Sequence, residues 1–291
     1  MLGAGITMQE SARYSEGKFS APDGVTLYEQ WWQPGGDPRA VVLIVHGIAE
    51  HSGRHAHVGE HLAQNGFAVC AYDQRGHGFS DGERSFIERF DDYLDDLEHV
   101  LVRAREKLPS KPVFLLGHST GGLIVATLAV FRNPAVRGMV LSGPLLIIGE
   151  DVPPLLVKIA PLVGRLLPRL KVMKLDSASI SRDADVAAAY DSDPLVYREG
   201  LCARTGAEIN GAVIRLQAAL EQATLPFLIL HGSEDRLSGP DGSRQFHARA
   251  RSDDKGLKMY AGFYHEVLNE PEKHQVLADL TEWLQARGEV P

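Results

Sequence analysis

The stretch that most constrains the fold is 112–126, P-V-F-L-L-G-H-S-T-G-G-L-I-V-A. The apolar run Val113 to Leu116 is long enough for a fully buried strand. It meets Gly117-His118-Ser119-Thr120-Gly121-Gly122, and an Ala/Leu-rich segment suited to a helix follows. Strand, sharp turn and helix in that order put a serine at the tip. So tight a turn forces strained backbone angles on the serine, and flanking residues without a Cβ leave room for the neighbouring chain. Ser119 is therefore predicted to stand clear as a nucleophile, its hydroxyl pointing out. A G-x-S-x-G pentapeptide alone occurs by chance; the strand before it and the helix after it separate this one from an ordinary glycine-rich turn.

The rest of the chain repeats the same rhythm. Residues 19–23 and 25–32 read as two strands around Asp23-Gly24, a two-residue hairpin signal. Residues 40–45 and 67–72 are apolar runs of the kind buried in a parallel sheet, and 138–142, 226–230 and 256–260 read as further strands. Ser52 reads as the cap of a helix that stops near Asn65-Gly66. In 90–107 the apolar residues Tyr93, Leu94, Leu97, Val100, Leu101 and Ala104 share one helical face. Its acids cluster early and its bases late, as the helix dipole favours. Helices are also predicted around 242–250 and over 271–287. Strands alternating with helices imply an α/β fold, a mostly parallel sheet covered on both faces.

From 144 to about 219 that rhythm breaks. No convincing strand is visible, and 152–170 is mostly apolar but interrupted by Pro154, Pro161 and Pro168, which fit the starts of short helices. Lys158, Arg165 and Arg169 fall on one narrow stripe, leaving a broad apolar face. Two readings stay open: a helix packed on the core with its bases in water, or a lid bordering a lipid-binding mouth or resting on a membrane surface.

A serine hydroxyl attacks well only when a positioned base takes its proton and a third group orients that base. An open α/β sheet gathers such partners on loops after its strands. Asp235 lies five residues past Leu230, and His265 five past Tyr260. The order Ser119, Asp235, His265 suits a nucleophile of this kind. Donors for the oxyanion would be the backbone N–H of Thr120 and that of Ile48, which follows the first central strand in His46-Gly47-Ile48. His46, His118 and His231 read as packed structural groups. His51, His55, His57 and His61 read as lying on or near one surface helix, without a zinc-like ligand pattern, so no metal is expected. Glu234 and Glu266 adjoin the chosen acid and base, but neighbouring side chains point different ways.

Composition narrows the class. At 291 residues with 44% hydrophobic content, the chain can bury a large core. A net charge of -8 argues against a nucleic-acid partner. Cys70 and Cys202 make no disulfide framework and are expected reduced. No apolar run approaches the roughly 20 residues that span a bilayer. The first residues carry no secretory pattern, and Met8 offers an alternative start, so the expectation is a cytoplasmic protein.

The stretches H-G-I-A-E-H-S-G-R at 46–54, D-Q-R-G-H-G-F-S-D-G at 73–82, G-H-S-T-G-G at 117–122, Y-D-S-D-P-L-V at 190–196, G-S-E-D-R-L at 232–237 and Y-H-E-V-L-N-E at 264–270 resemble the monoacylglycerol lipase family of serine hydrolases. That resemblance runs from about Tyr28 to the C-terminus. It implies an α/β-hydrolase fold whose core, 1–143 and 220–291, is interrupted by a helical cap at 144–219. It also implies a cofactor-free enzyme acting on monoacylglycerols or similar lipid esters, with Ser119, Asp235 and His265 as triad, Ile48 and Thr120 as oxyanion donors, and Tyr190 lining the pocket for glycerol. Thr120 stands where animal members often carry methionine, a change that spares the backbone donor. Another ester substrate on the same machinery, such as a short-chain ester, a thioester or a lysophospholipid, is the nearest alternative. A catalytically silent binding protein is the remote one.

Overall fold

The computed structural model describes residues 13–149 and 152–288; the expectations about Met8 and a leader fall outside them. Eight strands form one sheet: β1 (Arg13–Ser20), β2 (Thr26–Gln33), β3 (Val41–Val45), β4 (Ala68–Tyr72), β5 (Val113–His118), β6 (Gly138–Ser142), β9 (Phe227–Gly232) and β10 (Lys255–Tyr260). Their spatial order is β1-β2-β4-β3-β5-β6-β9-β10. Only the β1–β2 and β2–β4 pairs are antiparallel; every later pairing in this sheet is parallel.

Burial explains the parallel core. In β3 every residue is buried, and alternate side chains serve opposite faces: Val41, Leu43 and Val45 on one, Val42 and Ile44 on the other. The first face is covered by α2 (Asp91–Lys107), α3 (Thr120–Arg132) and the buried Phe246 of α7 (Pro240–Arg249). The second is covered by α1 (Ala56–Gln64) and α8 (Lys273–Gly288). A run apolar on both sides can be satisfied only this way, so the α/β architecture read from the sequence holds.

Several local expectations need correction. The first hairpin is not a two-residue turn: β1 ends at Ser20 and β2 begins at Thr26. Pro22 and the left-handed Gly24 (φ 89°) build a turn closed by the Gly24 N–H donating to the Ala21 carbonyl. Ser52 is not a helix cap but opens a 3-10 turn, which the His51 ring caps by accepting from the Gly53 N–H. The Ser52 hydroxyl is taken instead by buried Asp73, at 2.6 Å. The acids of α2 are not all dipole-serving surface groups, because Asp96 is buried and grips Arg75 through two 2.7 Å bonds.

Between β6 and β9 the chain leaves the sheet. It forms α4 (Pro154–Leu166), α5 (Ala184–Ser192), α6 (Ala203–Gln217) and a short antiparallel ribbon of β7 (Lys171–Met173) and β8 (Leu201–Cys202) that the sequence did not reveal. Strands of two and three residues are too short to show an alternation. Pro154 opens α4 as expected, but Pro161 lies inside it. The Val157 carbonyl, which an N–H at 161 would have met, accepts instead from the Asn210 side chain on α6. Cys70 and Cys202 are both buried and free.

Candidate active site

The functional residues descend from the carboxyl ends of neighbouring parallel strands. Residue 119 follows β5 directly, 235 lies three past β9, and 265 lies five past β10. Because β5, β6, β9 and β10 pair in register with little stagger, these loops open at one edge of the sheet.

Ser119 has φ 54° and ψ −119°, a backbone conformation that L side chains rarely adopt. The sharp turn it makes needs Gly121, where a Cβ would run into the carbonyls of Val45 and His46. Ser119 is buried, so its hydroxyl does not face solvent as expected. It faces a cavity of about 430 Å³ that includes residues of the 152–210 segment in its wall.

The structure brings the three expected residues together. His265 Nε2 lies 2.8 Å from Ser119 Oγ, and His265 Nδ1 lies 2.8 Å from Asp235 Oδ2. With Nδ1–H donating to the carboxylate, neutral His265 presents Nε2 as the acceptor of the serine proton. Burial works against protonating this ring, but the Asp235 carboxylate outweighs it and raises the pKa above 6.5. Burial also opposes ionising Asp235, yet His265, His231 and their hydrogen bonds hold it well below the usual carboxylate range. The second oxygen of Asp235 accepts the N–H groups of Leu237 and Ser238, both at 2.9 Å.

Thr120 opens α3, so its N–H has no carbonyl one turn earlier to reach. Ile48 lines the same cavity. Its loop presses against the serine closely enough that a Cβ on Gly47 would meet Ser119 Cβ at 3.1 Å. Tyr190, on α5, also lines the cavity; its hydroxyl is buried without a partner, and its ring lies 4.9 Å from the Arg54 guanidinium carbon.

Sequence reasoning missed several members. Glu50 Oε1 accepts the Gly47 N–H at 2.5 Å, which fixes the loop carrying Ile48. Arg54 bridges Glu50 (2.8 Å) and Glu266 (2.6 and 2.8 Å). Burial opposes ionisation of Glu50, but His55 and Arg54 hold its pKa well below 4.5. Glu266 does point away from His265, as expected, and its destination is this ion pair in the cavity wall. His231 Nε2–H reaches Asp235 Oδ2 and the Ser238 carbonyl, each at 3.0 Å. The only signal for Glu50 and Arg54 lay in the E-H-S-G-R stretch, where nothing in the spacing announces a partner 212 positions away.

The histidines near α1 also differ from expectation. His51 and His55 are buried: His51 Nε2 meets Asp193 at 2.8 Å, and His55 Nε2 meets Glu50 at 3.2 Å. His57 and His61 bond the Leu268 carbonyl and the Thr281 hydroxyl. No group of three His, Cys, Asp or Glu residues placed to hold a metal occurs among the described residues. Burial lowers His118 to about 4, and its Nδ1–H donates to the Ser142 carbonyl.

Comparison with known proteins adds four findings. Residues 36–272 match the model of a family described as "Serine aminopeptidase, S33". The monoacylglycerol lipase of Mycolicibacterium smegmatis is 39% identical over 94% of this chain and 98% of its own length. The monoglyceride lipase of Mus musculus is 38% identical over 91% and 88%. A soluble variant of the Saccharomyces cerevisiae monoglyceride lipase, solved with a substrate analog, superposes with a TM-score of 0.85 at 26% identity, covering 98% of this chain and 97% of that one.

Proposed function

This chain belongs to the Serine aminopeptidase, S33 family of α/β-hydrolases and stands with its monoacylglycerol lipases, and from that premise we propose that Ser119, His265 and Asp235 hydrolyse monoacylglycerols to fatty acid and glycerol. The observation that carries the assignment is the continuous Ser119–His265–Asp235 contact, 2.8 Å at each step, beside a cavity lined mostly by apolar side chains.

Ser119 Oγ attacks the ester carbonyl while His265 Nε2 takes its proton. The oxyanion of the tetrahedral intermediate lies against the N–H groups of Ile48 and Thr120, and Asp235 steadies the imidazolium. His265 then gives its proton to the departing glycerol oxygen, leaving the acyl group on Ser119. A water deprotonated by the same ring attacks that ester, and as the acyl–Oγ bond breaks His265 returns the proton to Ser119 Oγ, freeing the fatty acid and restoring the resting site. The residues supply every proton transfer, so no cofactor enters the scheme. Ile148, Val157, Ala160, Val163 and Ile209 form an apolar wall suited to an acyl chain, and the unpartnered Tyr190 hydroxyl suits a glycerol hydroxyl.

The segment 144–219 acts in this reading as a cap. On α4, Leu155, Ile159, Leu162 and Leu166 face outward and are exposed, while Val157, Ala160 and Val163 line the cavity. The helix is therefore apolar on two sides, and its outer side suits transient contact with a lipid surface from which substrate is drawn. No helix among the described residues is long and apolar enough to cross a membrane.

The test is hydrolysis of 1-oleoylglycerol by the protein and by Ser119→Ala. The substitution is expected to lower turnover roughly 10⁴-fold or more and to abolish labelling by a fluorophosphonate, with the fold intact. Undiminished hydrolysis in the variant defeats the assignment.

A further inference from the structure

The Glu50–Arg54–Glu266 cluster is a buried charge arrangement that the proton relay does not use. Arg54 is clamped from both sides, with two bonds to Glu266 and one to Glu50, so three of its five N–H donors are committed to carboxylates. The Asn269 amide donates a further bond to Glu266 at 2.8 Å, fixing that carboxylate in place. All three charged residues line the cavity together with the unpartnered Tyr190 hydroxyl, and Glu266 directly follows His265. Two carboxylates face one guanidinium and the His55 ring, which meets Glu50 at 3.2 Å, so with that ring neutral the corner carries an excess negative charge. The other charged residues of the cavity wall, Lys174, Asp176 and Arg236, are exposed, where solvent and salt weaken their field.

We propose that Glu266 sets head-group specificity, making the alcohol end of the cavity accept an uncharged polyol and reject a head that carries a phosphate. The inference rests on the monoacylglycerol reading above and deepens it. A polyol hydroxyl finds carboxylate oxygens to donate to and the Tyr190 hydroxyl to accept from or donate to. A phosphate finds acceptors where it needs donors, and the cation at this corner, Arg54, is already held by both carboxylates, while Lys174 and Arg236 lie on the exposed part of the wall. Glu266 is the discriminating member because Glu50 also anchors the Gly47 N–H and so cannot be changed without disturbing the loop of Ile48. Glu266→Gln keeps the shape, removes the surplus charge and loosens the grip on Arg54.

The experiment compares kcat/KM for 1-oleoylglycerol and 1-oleoyl lysophosphatidate, presented in the same neutral detergent micelles, with p-nitrophenyl butyrate as a head-independent ester. The unmodified protein is expected to favour the neutral lipid by about 10²-fold or more, and Glu266→Gln to reduce that preference about tenfold. A merely structural role would depress both lipids alike and leave the ratio unchanged, which overturns the inference. Comparable cleavage of the two lipids by the unmodified protein overturns it without any variant. Cleavage of p-nitrophenyl butyrate but of neither lipid defeats the monoacylglycerol reading itself, and this inference with it.

Discussion

One oxygen of Asp235 serves two imidazoles. Oδ2 meets His265 at 2.8 Å and His231 at 3.0 Å, and His231 is held from behind by Ser243 at 2.7 Å. The carboxylate thus has no freedom to rotate away from His265, and its negative charge is what lifts the pKa of that ring above 6.5. Only the neutral ring can accept the serine proton. Activity is therefore expected to fall as pH drops through the raised value, with the acid limb of kcat/KM above pH 6.5. Asp235→Asn removes the charge, so the limb should move to lower pH while the remaining rate drops about 10⁴-fold. A pH–rate profile of both proteins checks the direction of the shift; an unmoved limb would show that His265 is not the group titrating. The same scale shows what the sequence could reveal. Ser119, Asp235 and His265 were legible because each follows a recognisable strand and their order is informative. Glu266 and Arg54 were not, because a glutamate beside a histidine and an arginine before a helix look like surface residues until the chain folds them together.

Among the elements, α4 shows most clearly where periodicity reading succeeds and fails. Of its basic stripe only Lys158 and Arg165 lie on the helix, for Arg169 falls past its end at Leu166 and pairs with Glu83 instead. Periodicity on one helix also cannot tell a face that meets a cavity from one that meets water. The structure divides the apolar residues between both. Leu162 and Leu166 are 61% and 66% exposed, an unusual placement for large apolar side chains one turn apart. Leu162→Glu together with Leu166→Glu is expected to weaken sedimentation with phosphatidylcholine vesicles at least tenfold, because about 2 kcal/mol of apolar burial per leucine is forfeited. Hydrolysis of p-nitrophenyl butyrate in solution should change far less. Equal vesicle binding by the variant would remove α4 from any role at lipid surfaces. Pro161 was misplaced for a related reason. A proline in mid-helix reads as a break unless the freed carbonyl finds another donor, and Asn210 comes from a different helix.

At the scale of the molecule, the parallel sheet was the most legible feature, since strands buried on both faces have few alternatives to continuous apolar sequence. Less visible was how many imidazoles the fold keeps neutral. Burial lowers His46 and His77 to about 3, and His57 and His118 to about 4. Their unfolded counterparts titrate near 6.5, so below that pH the unfolded chain takes up protons that the native one refuses. The native state therefore loses stability as pH falls from 6.5 towards those depressed values, by up to about 1.4 kcal/mol per pH unit for each histidine. His265 opposes this with the reverse sign, since its raised pKa favours the native state below 6.5. Four outweigh one, and the melting temperature is expected to fall steeply between pH 6.5 and 5. Calorimetry across that range tests it, and a flat profile would mean that those rings gain protons in the native state.

The Asp193 carboxylate is bonded to His51, and the Tyr197 N–H to the Ala49 carbonyl, so the segment over the cavity is stitched to the loop that bears Ile48. Chimeras inherit a constraint from this seam. A covering module transplanted from a relative would arrive without its counterpart at 49–51 unless that loop travels with it. The two stretches are therefore one unit of inheritance, although some 140 residues of chain run between them.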